Sequence, residues 1–202
     1  MQQAGIDMLK NAGHQVDTNN IPQADLMEKL VDYDVICVRS ATKVRADLID
    51  LCPNLKIIGR GGVGLDNIDL DYAKDKGIHV LNTPAASSRS VAELAIGHLL
   101  SVARYIYAAN LQMPSKGSTN FKSLKKSYSK GFELEGKKLG IIGFGRIGQE
   151  TARVAIGLGM EIYAVDPYQD IVSLTIGPKS LNLITEIKTV DMETMLSNAD
   201  AI

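Results

Sequence analysis

Six consecutive residues, Gly143-Phe144-Gly145-Arg146-Ile147-Gly148, constrain this chain more than any other feature. They spell G-x-G-x-x-G. Glycines are common in turns, so the spacing alone is a weak signal, and the flanking pattern sharpens it. The turn follows an apolar run over 138–142 that reads as a strand. It opens a helical pattern over 147–158 that Gly159 closes. The next apolar run, 161–165, ends at Asp166, which lies 18 positions after Gly148. An acid about 20 residues on is where a ribose hydroxyl is received in a dinucleotide-binding unit. Gly143 permits the tight turn. Gly145 lets the backbone approach a pyrophosphate with no Cβ between. Gly148 lets the helix pack closely on the strand. The helix N-terminus adds unpaired N–H groups and a partial positive charge. Asp166 would accept both ribose hydroxyls of NAD, and its charge would repel the 2′-phosphate of NADP. The competing reading is a ligand-free β–α turn with an incidental aspartate, which must explain strand, helix and acid as coincidences.

The rest of the chain extends the same grammar. Compact apolar runs at 34–38, 55–58 and 78–81 read as buried parallel strands. Between them lie helical patterns at 26–31, at 44–51 (stopped by Pro53) and at 70–76 (ended by Gly77). Such alternation implies β-α-β crossovers and parallel sheets, hence an α/β fold. Residues 84–90 form a polar junction. Ser90 is placed to cap a long helix over 91–107, with Glu93 at its third position. Residues 110–135 look least ordered. They carry Lys116, Lys122, Lys125, Lys126 and Lys130, with no acid before Glu133. In the second unit, 184–190 reads as a third strand, 192–199 as a short helix and 200–202 as the start of another strand.

Composition excludes several classes. The 202 residues hold 22 basic and 23 acidic side chains, so this is not a generally basic nucleic-acid binder. Two cysteines, Cys37 and Cys52, make no disulfide framework, and no metal site is assigned. No apolar run reaches about 18 residues and no signal-peptide pattern opens the chain. The expectation is a soluble, reduced, cytoplasmic protein with neither a membrane nor a nucleic acid as partner.

A second glycine turn, 59–64, also ends a strand, but it fits neither the dinucleotide fingerprint nor a P-loop. Its N–H groups could cradle a carboxylate. Arg39 and Arg60 both fall at strand ends, where parallel sheets bind ligands. Two guanidinium groups beside such a cradle suit a small anionic substrate. A structural loop with two solvated arginines fits the pattern equally well.

Several motifs in order resemble the NAD-dependent D-2-hydroxyacid dehydrogenases, and the D-3-phosphoglycerate dehydrogenase branch in particular. They are Val38-Arg39-Ser40-Ala41-Thr42, and Ile58-Gly59-Arg60-Gly61-Gly62-Val63-Gly64 running on to Asp69. Asn82-Thr83-Pro84, Ser90 to Leu94, Glu135 to Gly140, the fingerprint and Val165-Asp166-Pro167-Tyr168 continue them. The resemblance implies two doubly wound parallel-sheet domains, both incomplete. One is a flavodoxin-like substrate domain over 1–82 without its first strand. The other is an NAD-binding domain over 83–202, with a dimerisation helix and arm at 90–136 and a partial Rossmann unit at 137–202. It implies Arg146 and Ile147 as backbone contacts to the pyrophosphate, Asp166 as ribose ligand and Val63 near the nicotinamide. It implies Arg39, Ser40, Arg60, Gly62 and Gly64 on the substrate side, and a homodimer through the cofactor domain. Lys130 then either meets a substrate phosphate or is simply solvated. Ser87 stands where relatives often carry an asparagine.

The same resemblance implies hydride transfer between NAD and a small D-2-hydroxy acid, 3-phosphoglycerate first, which is a step of serine biosynthesis. Glyoxylate, hydroxypyruvate or another 2-keto acid is the alternative substrate. A non-catalytic NAD-sensing dimer, like a corepressor, is the alternative of another class. The family's catalytic arginine, glutamate and histidine are expected after residue 202. His14, His79 and His98 do not stand in for them: His98 is five positions after Glu93, off its helical face. The expectation is a shortened version of a dehydrogenase of about 300 residues, inactive as it stands.

Overall fold

The computed structural model describes residues 2–178, 180–181 and 183–202. The chain divides into two compact units, Met1–Pro84 and Ala85–Ile202.

The first unit is built on a three-stranded parallel sheet in the order β1 (Val35–Val38), β2 (Ile57–Arg60), β3 (His79–Asn82). Helices α1 (Gln3–Asn11), α2 (Leu26–Lys29), α3 (Ala46–Asp50) and α4 (Leu70–Asp75) accompany it. Asp69 caps α4 by accepting a hydrogen bond from the Tyr72 N–H at 3.2 Å, and Gly77 closes it at φ +73°. The core joins Val44, Leu48, Ile58, Ile68 and Ala73, with Val44, Ile58 and Ala73 fully buried. Two expectations are corrected here. The pattern over 26–31 yields only one α-helical turn, α2, because the chain reaches Leu30 and turns at Tyr33. The run 34–38 is buried on one face only: Ile36 and Val38 point into the core while Val35 and Cys37 are exposed.

The second unit begins with α5 (Ser88–Ala103), then α6 (Ile106–Tyr128). Its parallel pair is β4 (Lys138–Ile142) and β5 (Glu161–Val165), with α7 (Arg146–Gly157) between them in the chain. Strands β6 (Ile171–Ile176) and β7 (Leu183–Lys188) follow, then α8 (Met192–Asn198). Over 200–202, where a strand was expected, the structure has a single isolated parallel bridge, Ala201 to Leu139. Phe144, Leu174, Ala152, Ala155 and Ala164 are fully buried at the centre of this core.

Three expectations differ in this unit. The helix over 91–107 is shorter at its C-terminal end and starts earlier, so Ser90 lies inside α5 rather than capping it. It stops because Tyr105 takes the left-handed conformation (φ +54°), which breaks the helical hydrogen-bond ladder. The stretch 110–135, expected to be the least ordered, is largely α6. That element turns a corner at Asn120 (φ −123°, ψ +23°), and the Tyr128 hydroxyl donates to the Ala108 carbonyl at 3.1 Å, so its two legs fold back on each other. Its periodicity is hidden because only Leu124 is buried. Finally, 183–188 is a strand, but it pairs antiparallel with β6, which the sequence pattern did not reveal. The hairpin's inner face, with Leu174 fully buried and Val172 and Ile176 beside it, joins the core of the parallel pair.

Candidate functional site

In the second unit the glycine turn joins the carboxyl end of β4 to α7. Gly143 takes φ +90°, a conformation that glycine adopts without strain, and its N–H donates to the Val165 carbonyl at 2.8 Å. Gly145 is the N-cap, extended, with nothing within 4 Å of the place a Cβ would occupy. Gly148 is the opposite case. A Cβ there would collide with the Gly143 carbonyl oxygen and press on Ile141 Cγ2 at 3.2 Å. The three glycines thus do three different things: one bends the chain, one leaves open space over the helix N-terminus, and one lets the helix sit against the turn. Arg146 and Ile147 form the first turn of α7, both exposed. No side chain caps this helix, so its leading N–H groups remain available to an anion.

Asp166 follows β5 and lies partly buried at the same edge. Its carboxylate already accepts two backbone N–H groups: Phe144 to Oδ2 at 2.7 Å and Tyr168 to Oδ1 at 2.9 Å. Two carboxylate oxygens offer about four lone-pair sites, so acceptor capacity remains for ribose hydroxyls. Open space at Gly145, unpaired N–H groups and a carboxylate with spare acceptors together fit an adenine dinucleotide.

The first unit gathers the remaining expected residues at the carboxyl edge of its sheet. Val38 pairs in register with Arg60, and Arg60 with Asn82, so Arg60 sits between the ends of its neighbours. Arg39 and Ser40 follow β1 directly and are exposed. Gly62 takes φ +144°, and the Arg60 guanidinium lies over it so closely that a Cβ at position 62 would overlap it. Arg60 Nε is buried with no partner among the described residues. The cradle is smaller than expected. The Gly61 N–H donates to the Val38 carbonyl at 2.9 Å, and the Gly62 N–H donates to Thr83 Oγ1 at 2.8 Å. The Gly62 N–H is thus engaged by Thr83 in this structure. Val63 is 45% exposed and its carbonyl accepts from Asn82 Nδ2 at 2.7 Å. Gly64 is exposed at the end of the turn.

A sequence profile described as "D-isomer specific 2-hydroxyacid dehydrogenase, catalytic domain" matches residues 1–200. The chain belongs to this family. It is 45% identical over 188 residues to the hydroxypyruvate reductase of Thermotoga maritima, covering 93% of this chain and 56% of that protein. It is 44% identical over 168 residues to the D-3-phosphoglycerate dehydrogenase of Methanocaldococcus jannaschii, covering 83% of this chain and 31% of that protein. Among solved structures it matches the NAD-dependent formate dehydrogenase of Staphylococcus aureus in complex with NAD. That match has a TM-score of 0.69 at 29% identity, covering 98% of this chain and 56% of the other. The chain thus spans little more than half the length of these relatives, or less.

In this 2-hydroxyacid dehydrogenase family member, five residues matter to the sites beyond those read from sequence. Asn67 is 4% exposed, and its Nδ2 donates to the carbonyls of Arg39 (3.0 Å) and Thr42 (2.7 Å), which shapes the loop bearing Arg39. Thr83 takes up the Gly62 N–H. Phe144 anchors the dinucleotide turn with a ring that is wholly buried. Gln149 and Gln169 both donate to its carbonyl. Asn67 and Thr83 stand in motifs of the family resemblance and Phe144 inside the fingerprint, so their positions mark them. Nothing in the local pattern marks the two glutamines. Among the described residues no helix is long and apolar enough to cross a membrane.

Proposed function

We propose that this chain is the cofactor-holding part, with one anion site, of an NAD-dependent D-2-hydroxyacid dehydrogenase. The observation that carries this reading is the open helix N-terminus at Gly145 with Asp166 across the turn. NAD, when bound, would supply the hydride acceptor for oxidation of the hydroxy acid. This chain's own residues bind and orient. The N–H groups of Arg146 and Ile147 hold the pyrophosphate and Asp166 takes the ribose hydroxyls; Val63 is the residue for which the family resemblance implies a nicotinamide-side role. Calorimetric titration tests it: NAD should bind and NADP should bind at least tenfold more weakly. NADP binding as tight as NAD sinks the role of Asp166, and no NAD binding sinks the reading.

The substrate we propose is 3-phosphoglycerate. Arg39 and Arg60 at adjacent strand ends offer two cations, which match a phosphate beside a carboxylate better than a carboxylate alone. Ser40 and Gly64 line the same edge, and Gly62 serves by giving room to the Arg60 guanidinium. A second reading, hydroxypyruvate or glyoxylate, is favoured by the likeness to the Thermotoga reductase. Binding of 3-phosphoglycerate against glycerate separates the two. A preference for the phosphorylated ligand that Arg60→Ala abolishes supports the first; equal binding supports the second.

This reading gives none of His14, His79 and His98 an acid–base role, so these 202 residues by themselves should show negligible turnover of 3-phosphoglycerate with NAD; normal turnover would overturn it. The proposed homodimer would form through α5 and α6. Helix α5 turns Val91, Leu94 and Val102 outward, at 41%, 62% and 72% exposure, and these three share one helical face. Lys130 is exposed after α6 and serves either solvation or a substrate phosphate. Sedimentation velocity checks the dimer; a monomer at micromolar concentration would refute it.

A further inference from the structure

The dinucleotide turn is fastened at a single residue from three directions. The Phe144 N–H donates to Asp166 Oδ2 at 2.7 Å. Its carbonyl accepts from Gln149 Nε2 and from Gln169 Nε2, both at 2.9 Å. Gln149 Nε2 also lies 3.4 Å from Gln169 Oε1, so the two side chains brace each other. Gln149 rides on α7, while Gln169 belongs to the loop after β5. Both are partly buried.

The peptide geometry turns this into a statement about the ligand site. The Phe144 carbonyl and the Gly145 N–H belong to one peptide plane, and among the described residues there is no cis peptide bond. In a trans peptide the C=O and N–H point in opposite directions. Holding the carbonyl against the two glutamines therefore aims the Gly145 N–H the other way, away from them. Glycine at 145 imposes little backbone preference of its own, so without the clamp this peptide plane is free to rotate. A donor that must meet a pyrophosphate has to be aimed before the ligand arrives, since ordering it on binding costs affinity.

We infer that Gln149 and Gln169 form an amide clamp that positions the Gly145 N–H for the pyrophosphate. They are positioning residues, acting through the Phe144 carbonyl. The inference rests on the cofactor reading above. The arrangement has a distinctive signature. Either amide alone still satisfies the carbonyl, so losing one is mild. Losing both leaves a partly buried acceptor orphaned and the plane unheld. The two substitutions should therefore be strongly coupled.

The test uses Gln149→Ala, Gln169→Ala and the double variant of the full chain. Dissociation constants are measured by calorimetry for NAD, for ADP-ribose and for adenosine, which lacks a pyrophosphate. Each single variant should weaken NAD and ADP-ribose about threefold and the double variant about thirtyfold or more, with adenosine within about twofold. Single effects that merely multiply, or a double variant that binds NAD within threefold of the parent, overturn the clamp. So does an equal loss for adenosine, which would mark general unfolding. Amide exchange read without ligand separates the two hypotheses. The Phe144 N–H should exchange at least about tenfold faster in the double variant, while β4 amides stay unchanged. If the parent binds no dinucleotide, the cofactor reading fails, and this exchange still decides the clamp: equal rates at Phe144 overturn it.

Discussion

Gly145 and Gly148 lie three positions apart in one motif, yet the structure assigns them opposite sensitivities. At Gly148 an added methyl would collide with the Gly143 carbonyl oxygen, and it meets the Gly143 carbonyl carbon at 3.3 Å and Ile141 Cγ2 at 3.2 Å. Two of these three obstacles are backbone, which no side-chain rotation relieves, so α7 must back away from the turn. Overpacking of this kind costs about 1–3 kcal/mol. Alanine regains about 1 kcal/mol of helix propensity over glycine. With the strain at the upper end, Gly148→Ala should destabilise the second unit by about 2 kcal/mol. For a domain of this size that is a fall in Tm of roughly 6–10 °C. At Gly145 the space is open and the backbone extended. Gly145→Ala loses about 1 kcal/mol at an N-cap and regains about 0.4–1 kcal/mol by restricting the unfolded chain. Its Tm should stay within about 3 °C of the parent. Its new methyl nonetheless stands where the pyrophosphate must approach, so NAD should bind at least tenfold more weakly. Differential scanning calorimetry and NAD titration on both variants give the answer. Equal Tm changes, or a stable Gly148→Ala, would refute the packing argument. Undiminished NAD binding by Gly145→Ala would refute the placement of the pyrophosphate.

Other consequences can be checked as readily. Asp166→Ala should lose NAD at least tenfold without gaining NADP, because the same carboxylate accepts the Phe144 and Tyr168 N–H groups and its removal loosens the turn; a tenfold gain in NADP affinity at unchanged Tm would show that it serves the ribose alone. A thiol reagent should titrate one group quickly in the native chain, the exposed Cys37, and Cys52 only on unfolding, because Cys52 is 2% exposed and burial pushes its thiol up; two fast thiols would contradict the core around α3. Asp191, held by Thr194 at the start of α8, and Asp200, held chiefly by the Lys138 N–H, both have carboxyls below the usual range. A carboxyl depressed in the folded state adds stability that is present above its unfolded value and is lost as pH falls through the folded one. Urea midpoints should therefore fall below about pH 4, and Asp200→Asn should flatten that acid limb; an unchanged limb counts against it.

Much of the fold was legible because it follows from local rules. The glycine turn, Asp166 after the next strand, the Gly77 and Gly159 helix ends and the parallel pairs β1–β2 and β4–β5 all follow from side-chain period or backbone conformation over a few residues. Helix α6 buries only Leu124, so it has almost no apolar stripe to read, and its corner at Asn120 is set by the contact of Tyr128 with Ala108, 20 positions away. Strand β6 is different: Val172, Leu174 and Ile176 alternate with Ser173 and Thr175 in the chain, and only its antiparallel pairing with β7 and the full burial of Leu174 are decided by packing.

The sites divide the same way. The residue types needed for a dinucleotide and for an anion are written in the chain, and their order along it determines which strand end each one follows. Only tertiary packing decided how they are held. The Gly62 N–H is spent on Thr83, Asn67 shapes the Arg39 loop from 28 positions away, and Gln169 reaches the Phe144 carbonyl from 25. Backbone conformation is a property of neighbours in sequence. The satisfaction of a buried polar group is a property of neighbours in space, which no local pattern records.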